Sequence, residues 1–162
     1  MPRMADLLRP ENVAVDLAAT SKKHALLEVA KLLSASSGLP ESAIFTTLVD
    51  RENLGSTGFG RGVAVPHARI PQVDGTHMAF VRLSRPVDFE ASDDEPVDLI
   101  CAMIGNYGSA TEPLEVLVGA CRVLRNHETL TKLRKARNCT TKERTKSWTI
   151  FWRPSLSSLR IM

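Results

Sequence analysis

Between Arg51 and Arg69 the chain reads Arg-Glu-Asn-Leu-Gly-Ser-Thr-Gly-Phe-Gly-Arg-Gly-Val-Ala-Val-Pro-His-Ala-Arg. Four of its nine glycines, Gly55, Gly58, Gly60 and Gly62, fall within eight positions. Glycine lets the backbone come close to a bound group. Ser56, Thr57, Arg51 and Arg61 offer donors to an anion. His67 follows Pro66 and an apolar Val-Ala-Val run, which places it at the edge of a rigid element. Imidazole can accept a phosphoryl group at a ring nitrogen and release it. That needs a neutral ring, which an ordinary histidine pKa near ~6.5 supplies. It also needs donors around the phosphoryl oxygens, because this transfer depends on positioning and electrostatics. His67 is therefore the candidate acceptor, with Arg51, Ser56, Thr57 and loop N–H groups such as that of Gly58 as candidate phosphoryl contacts. The residues leave open which ring nitrogen reacts.

Standard nucleotide motifs do not fit. Gly55 and Gly60 have Walker A spacing, but Arg61-Gly62 follows in place of Lys and a hydroxyl. A dinucleotide fingerprint lies between a strand and a helix, whereas this loop precedes a strand. His67 has no partner at ligand spacing, so no metal is expected, and no cofactor. On residue physics alone, a structural turn and a phosphoryl site both stay open.

The elements that must hold this loop follow from periodicity. Val13 to Leu17 reads as a strand. Thr20 or Ser21 can cap a helix from near Lys22, with Leu26, Val29, Ala30 and Leu33 on one face and Gly38 as its stop. Pro40-Glu41 opens a second helix with Ile44, Phe45, Leu48 and Val49 on its apolar side. It ends near Arg51 and delivers that residue to the glycine loop. Val63–Val65, Met78–Leu83 and Val97–Ile104 read as strands, the last nearly all apolar and so central. Gly105 to Gly108 is a turn. Thr111 to Arg125 is a third long helix, with Leu114, Leu117, Val118, Cys121 and Leu124 on one apolar face. A short helix runs from His127 to Lys135. Helices before and after a block of strands imply layers of helix around a mixed sheet.

At 162 residues the chain fits one core, and no apolar run reaches the ~18 residues of a membrane span. The first residues carry no apolar signal core, so a cytoplasmic protein without membrane insertion is expected. Cys101 and Cys121 lie in apolar runs and read as core residues. The net charge of +3 hides an asymmetry: residues 132–162 carry nine basic residues against Glu143 alone, leaving the rest at −5. Residues 136–162 are polar and aperiodic, then carry Trp148, Phe151 and Trp152. No nucleic-acid fold motif accompanies this basic tail, so a solvated tail is the expectation, without a nucleic-acid partner. His24, His77 and His127 read as solvated.

The string from Arg51 to Arg69 closely resembles the signature of the type-2 EIIA components of the bacterial phosphoenolpyruvate phosphotransferase system (PTS), the fructose/mannitol group. Asp6-Leu-Leu-x-Pro-Glu-Asn, Ser21-Lys-Lys, Arg85-Pro-Val-Asp-Phe and Pro96-Val-Asp-Leu agree, and look most like its nitrogen-regulatory branch. The resemblance spans residues 4–135, leaving 136–162 as an atypical basic C-terminal tail. It implies an α/β fold, a three-layer α/β/α sandwich around a mixed sheet of the phosphotransferase/anion-transport-protein type. It implies phosphoryl acceptance on His67 from a phospho-His carrier of the HPr or NPr type, a phosphohistidine intermediate, and Arg51 as the active-site arginine. It implies a phosphocarrier that regulates transporters or kinases by its phosphorylation state. The alternatives are a sugar-specific EIIA feeding a separate EIIB, and a binding module that no longer transfers phosphoryl.

The chain departs from the family pattern twice. A second histidine is usual at the start of the third long helix, where this chain has Ala110-Thr-Glu-Pro-Leu with Pro113 at or beside that position. The family's acidic terminal helix has no counterpart in residues 136–162.

Overall fold

Ser21 starts the first long helix by accepting the His24 N–H on its side chain at 3.1 Å. This satisfies one of the donors that a helix start leaves free. The helix, α2 (Lys22–Ser37), stops at Gly38, which takes a left-handed φ of 74° that other residues adopt only with strain. A short α1 (Met4–Leu7), a 3₁₀ turn (Pro10–Asn12) and β1 (Val13–Leu17) precede it. Pro40 leads into α3 (Glu41–Asn53). The computed structural model describes residues 4–106 and 112–136, with the side chains of residues 4 and 5 excepted. Tyr107 and Gly108 of the expected Gly105–Gly108 turn and the tail from 137, with Trp148, Phe151 and Trp152, lie outside the described residues.

The glycine loop yields β2 (Gly58–Gly60) and β3 (Val63–Ala64), and His67 begins a further strand, β4 (His67–Arg69). β5 (Thr76–Val87) and β6 (Val97–Gly105) are the long strands. The six-stranded sheet runs β1-β5-β6-β3-β2, with β4 also on β6. It is mixed: β1 lies parallel to β5, β5 antiparallel to β6, and β3 and β4 parallel to β6. β6 is internal, as its apolar run predicts. β3 and β4 pair with successive stretches of β6, Leu99–Ile100 and Met103–Gly105, interrupted at Val65-Pro66, and the Pro66 carbonyl still accepts the Met103 N–H at 2.9 Å.

The long strands bury both faces. Ile100, Ala102 and Ile104 pack with Leu26, Val29, Leu33, Ile44 and Leu48 of α2 and α3. The alternate residues Leu99, Cys101 and Met103 pack with Val116, Ala120, Val123 and Leu124 of α4 (Glu112–Leu124) and with Leu130 and Leu133 of α5 (His127–Lys135). Each buried Val, Leu, Ile or Met among them contributes about 1.5–3 kcal/mol by leaving water. The result is the expected α/β/α arrangement of layers.

The apolar face expected of α4 meets the sheet only in part. Pro113, Val116, Ala120, Val123 and Leu124 face the sheet, while Leu114 and Val118 are 57% and 49% exposed. Leu117 and Cys121 are half-buried against the same core. α4 is apolar on two adjacent stripes, so a 3.6-residue period fits both.

Candidate functional site

Arg51 lies in the last turn of α3, and its neighbour Glu52 faces the interior. In β4 alternate side chains point to opposite sides. Ala68 enters the core, while His67 is half-buried and Arg69 exposed. The Arg51 guanidinium reaches His67: its Nε–H donates to His67 Nε2 at 3.3 Å, and Nη1 donates to the Gly55 carbonyl at 3.1 Å. His67 Nδ1 lies 3.0 Å from the Val65 carbonyl. A carbonyl only accepts, so Nδ1 carries the ring proton and Nε2 carries the lone pair.

A cavity of about 560 Å³ opens at this pair. Arg69, Thr47 and Asp50 supply its polar wall, and Leu54, Leu114 and Leu117 its apolar one. Leu54 is 85% exposed at its rim. Sequence reasoning did not single out Arg69, although strand alternation puts it on the same side as His67. Leu114 and Leu117 share the apolar face expected of their helix, and nothing local would have placed them beside His67.

The other residues expected near a phosphoryl group have partners within the protein. Ser56 Oγ donates to the Phe89 carbonyl and accepts the Gly58 N–H at 3.1 Å. The Thr57 N–H and hydroxyl both donate to the Glu52 carboxylate, at 3.0 and 2.5 Å. Gly58 is pressed against Ala91, where an added Cβ would meet the Ala91 Cβ at 2.9 Å. Arg61 stands at a left-handed φ of 57°; its N–H bonds Asp93 at 2.9 Å and its guanidinium bonds the Arg125 carbonyl at 3.1 Å. The Arg61 and Glu95 N–H groups hold the Asp93 carboxyl below its ordinary pKa.

His24 Nδ1 accepts the Thr20 N–H at 3.3 Å, His77 bonds the Asp74 carbonyl, and His127 is exposed at the start of α5. Cys101 is buried, which pushes its thiol up to about 12, and Cys121 is half-buried. Among the described residues no three His, Cys, Asp or Glu side chains gather as a metal site would require. Pro113 is buried against Gly105, where a Cβ would meet the Pro113 Cβ at 3.2 Å. A larger cleft of about 940 Å³ lies between the start of α2, the end of α3 and Arg85 to Asp88. Glu52 is among the residues that line it, and no histidine is. No described helix is long and apolar enough to cross a membrane.

Residues 6–141 match the family model for the phosphoenolpyruvate-dependent sugar phosphotransferase system, EIIA 2. The chain is 38% identical over 135 residues to a nitrogen regulatory protein of Bradyrhizobium diazoefficiens, covering 83% of this chain and 88% of that one. It is 37% identical over 139 residues to one of Pseudomonas aeruginosa, covering 84% and 89%. Its fold superposes on the crystal structure of nitrogen regulatory protein IIA-Ntr from Neisseria meningitidis with a TM-score of 0.83 at 30% identity, over 92% of this chain and 98% of that one.

Proposed function

The chain belongs to the EIIA 2 family of the phosphoenolpyruvate-dependent sugar phosphotransferase system, and from that premise we propose that it is a nitrogen-regulatory phosphocarrier that accepts phosphoryl on His67. The observation that carries this reading is the pairing of Arg51 Nε with His67 Nε2 at 3.3 Å while Nδ1 is held by Val65. In this reading Nε2 is the nucleophile. Its lone pair attacks the phosphorus of a phosphohistidine on an HPr- or NPr-type carrier. The donor's N–P bond breaks, its electron pair returns to the donor ring, and a new N–P bond forms on His67. The Nδ1 proton stays in place, and the Val65 carbonyl stabilises the positive character that the ring acquires. The Arg51 guanidinium swings its donors from the ring to the phosphoryl oxygens, a charge-assisted contact. The Ser56 and Thr57 hydroxyls and Gly58 hold the loop that faces this group.

The exposed Leu54 and Leu114 fit a protein donor better than a small molecule, because an apolar rim gains by losing water against a partner's surface. Phosphorylation adds about two negative charges to this face. A transporter or kinase that docks here would distinguish the two states, and the protein would act in the cytoplasm beside its donor.

One observation favours a second reading, a binding module without transfer: Pro113, at or beside the place of the family's second imidazole, is buried on Gly105. One experiment decides. The protein is incubated with phosphoenolpyruvate, enzyme I and HPr or NPr, then weighed intact. The wild type, His24→Ala, His77→Ala and His127→Ala should gain one phosphoryl mass, and His67→Ala none. An unlabelled wild type supports the binding module, and label on His67→Ala refutes the assignment. Onward transfer to an EIIB cysteine would mark a sugar-specific role instead.

A further inference from the structure

Glu52 is a carboxylate with 3% side-chain exposure that the transfer step leaves unused. Both its oxygens are engaged. Oε1 accepts the Thr57 N–H at 3.0 Å and faces the Lys22 ammonium at 3.0 Å; Oε2 accepts the Thr57 hydroxyl at 2.5 Å. Lys22 comes from the first turn of α2, Glu52 from the last turn of α3, and Thr57 from the start of the glycine loop. Lys22 also donates to the Phe89 carbonyl at 3.3 Å, the same oxygen that accepts the Ser56 hydroxyl, and sits 5.6 Å from the Phe89 ring centre. Two helix ends and the loop are thus tied to one buried charge pair.

The four residues that Glu52 and Thr57 bracket include Gly55. The Gly55 N–H bonds the Glu52 carbonyl at 3.1 Å, and the Gly55 carbonyl accepts from Arg51 Nη1. The Arg51 guanidinium therefore has two fixed points, His67 Nε2 and an oxygen whose place depends on the bracket. A carboxylate is the group that suits this position. It offers acceptors alone, and everything that meets it here is a donor. An amide would turn an N–H towards Thr57 or Lys22.

We propose that Glu52 is a positioning residue for phosphoryl transfer: with Lys22 and Thr57 it holds the loop at Gly55, and through Gly55 it sets the Arg51 guanidinium on His67. This rests on the reading of His67 as acceptor and adds to it the device that aims the arginine. Misplacing a catalytic group by ~1 Å can cost about 10²-fold in rate. Leu54 of the docking rim lies in the same loop, so the rate is read at saturating donor, where a change in donor affinity no longer counts.

Glu52→Gln and Thr57→Val both test this, the second keeping shape and the buried charge pair while removing one donor. The wild type and both variants are compared for transfer rate at saturating phospho-carrier and for water exchange of the Arg51 Nε–H proton by NMR. Each variant should lose at least about tenfold in saturated rate, and its Arg51 Nε–H should exchange markedly faster. Thr57→Ser, which restores the hydroxyl, should recover most of the loss from Thr57→Val. In an Arg51→Lys background Glu52→Gln should cost little more, since the group it aims is gone. Unchanged Arg51 Nε–H exchange in both variants overturns the proposal, as does an equal fold-loss with and without Arg51. A wild type that takes no phosphoryl on His67 overturns the functional reading instead, and the exchange measurement still judges whether Glu52 sets Arg51.

Discussion

Arg51 Nε–H points at His67 Nε2 from 3.3 Å, across sixteen residues of chain. The contact joins the end of α3 to the start of β4, and its direction is fixed at the other side of the ring by Val65. It places a permanent cation beside the ring nitrogen that carries the lone pair.

Arg51→Lys should slow phosphoryl acceptance by at least about tenfold, short of the roughly 10³–10⁵ found for arginines inserted in trans. Lysine keeps the charge and loses the planar fork that reaches His67 and Gly55 together. The thermal midpoint should barely move, as Arg51 is half-exposed. Stopped-flow transfer from the phospho-carrier measures the rate; a wild-type value would remove Arg51 from the site.

Leu54→Ser should weaken donor docking while leaving the chemistry alone. Leu54 is 85% exposed, so the change should stay within about ±0.5 kcal/mol of wild-type stability. KM for the phospho-carrier should rise several-fold with kcat held, the signature of lost uniform binding. A lowered kcat with unchanged KM would contradict a docking role.

Gly58→Ala should destabilise the fold by about 1–3 kcal/mol, the usual cost of overpacking. The new methyl would sit 2.9 Å from the Ala91 Cβ and 3.3 Å from the Ala91 backbone, neither of which is the end of a flexible chain. Denaturant titration reads this, and a midpoint equal to wild type would show that the Ala91 segment gives way.

Asp93→Asn should lower stability near neutral pH, with the difference fading in acid. Two backbone N–H groups, from Arg61 and Glu95, hold the Asp93 carboxyl below its ordinary value of 3.8. A carboxyl lowered in the folded state stabilises it above the unfolded pKa and loses that contribution as pH falls through the folded one. Thermal midpoints of both proteins, followed from neutral pH down through the carboxylate range, should therefore draw together in acid. A constant gap would mean that charge on Asp93 is not what holds the Arg61 turn.

A chain ended after Ala136 should remain soluble and accept phosphoryl on His67 at a similar rate. The buried Arg82 already closes α5 within that length, donating to the carbonyls of Leu133, Arg134 and Ala136 at 2.9, 3.3 and 2.5 Å and pairing with Asp16. Arg134 adds a forked bond to Asp98 at 2.8 to 3.2 Å. Aggregation of the shortened chain would show that Trp148, Phe151 and Trp152 cover apolar surface of the body.

Local chemistry was legible in the residues alone. Ser21 as a cap, Gly38 as a stop, the apolar stripe of α2 and the buried run of β6 depend on neighbours within one turn or one strand. The compact string from Arg51 to Arg69 likewise brings a histidine, an arginine and a glycine loop together by proximity in the chain. Tertiary structure decided which partner each polar group takes. Ser56 finds an oxygen thirty-three residues away, and Glu52 takes up the Thr57 donors because the ends of α2 and α3 bury it beside Lys22. It decided, too, which of two equally apolar stripes of α4 faces the sheet, leaving Leu114 beside His67. Periodicity records that a face is apolar, while the choice among such faces, and among the donors a buried carboxylate collects, is made by contacts between segments distant in the chain.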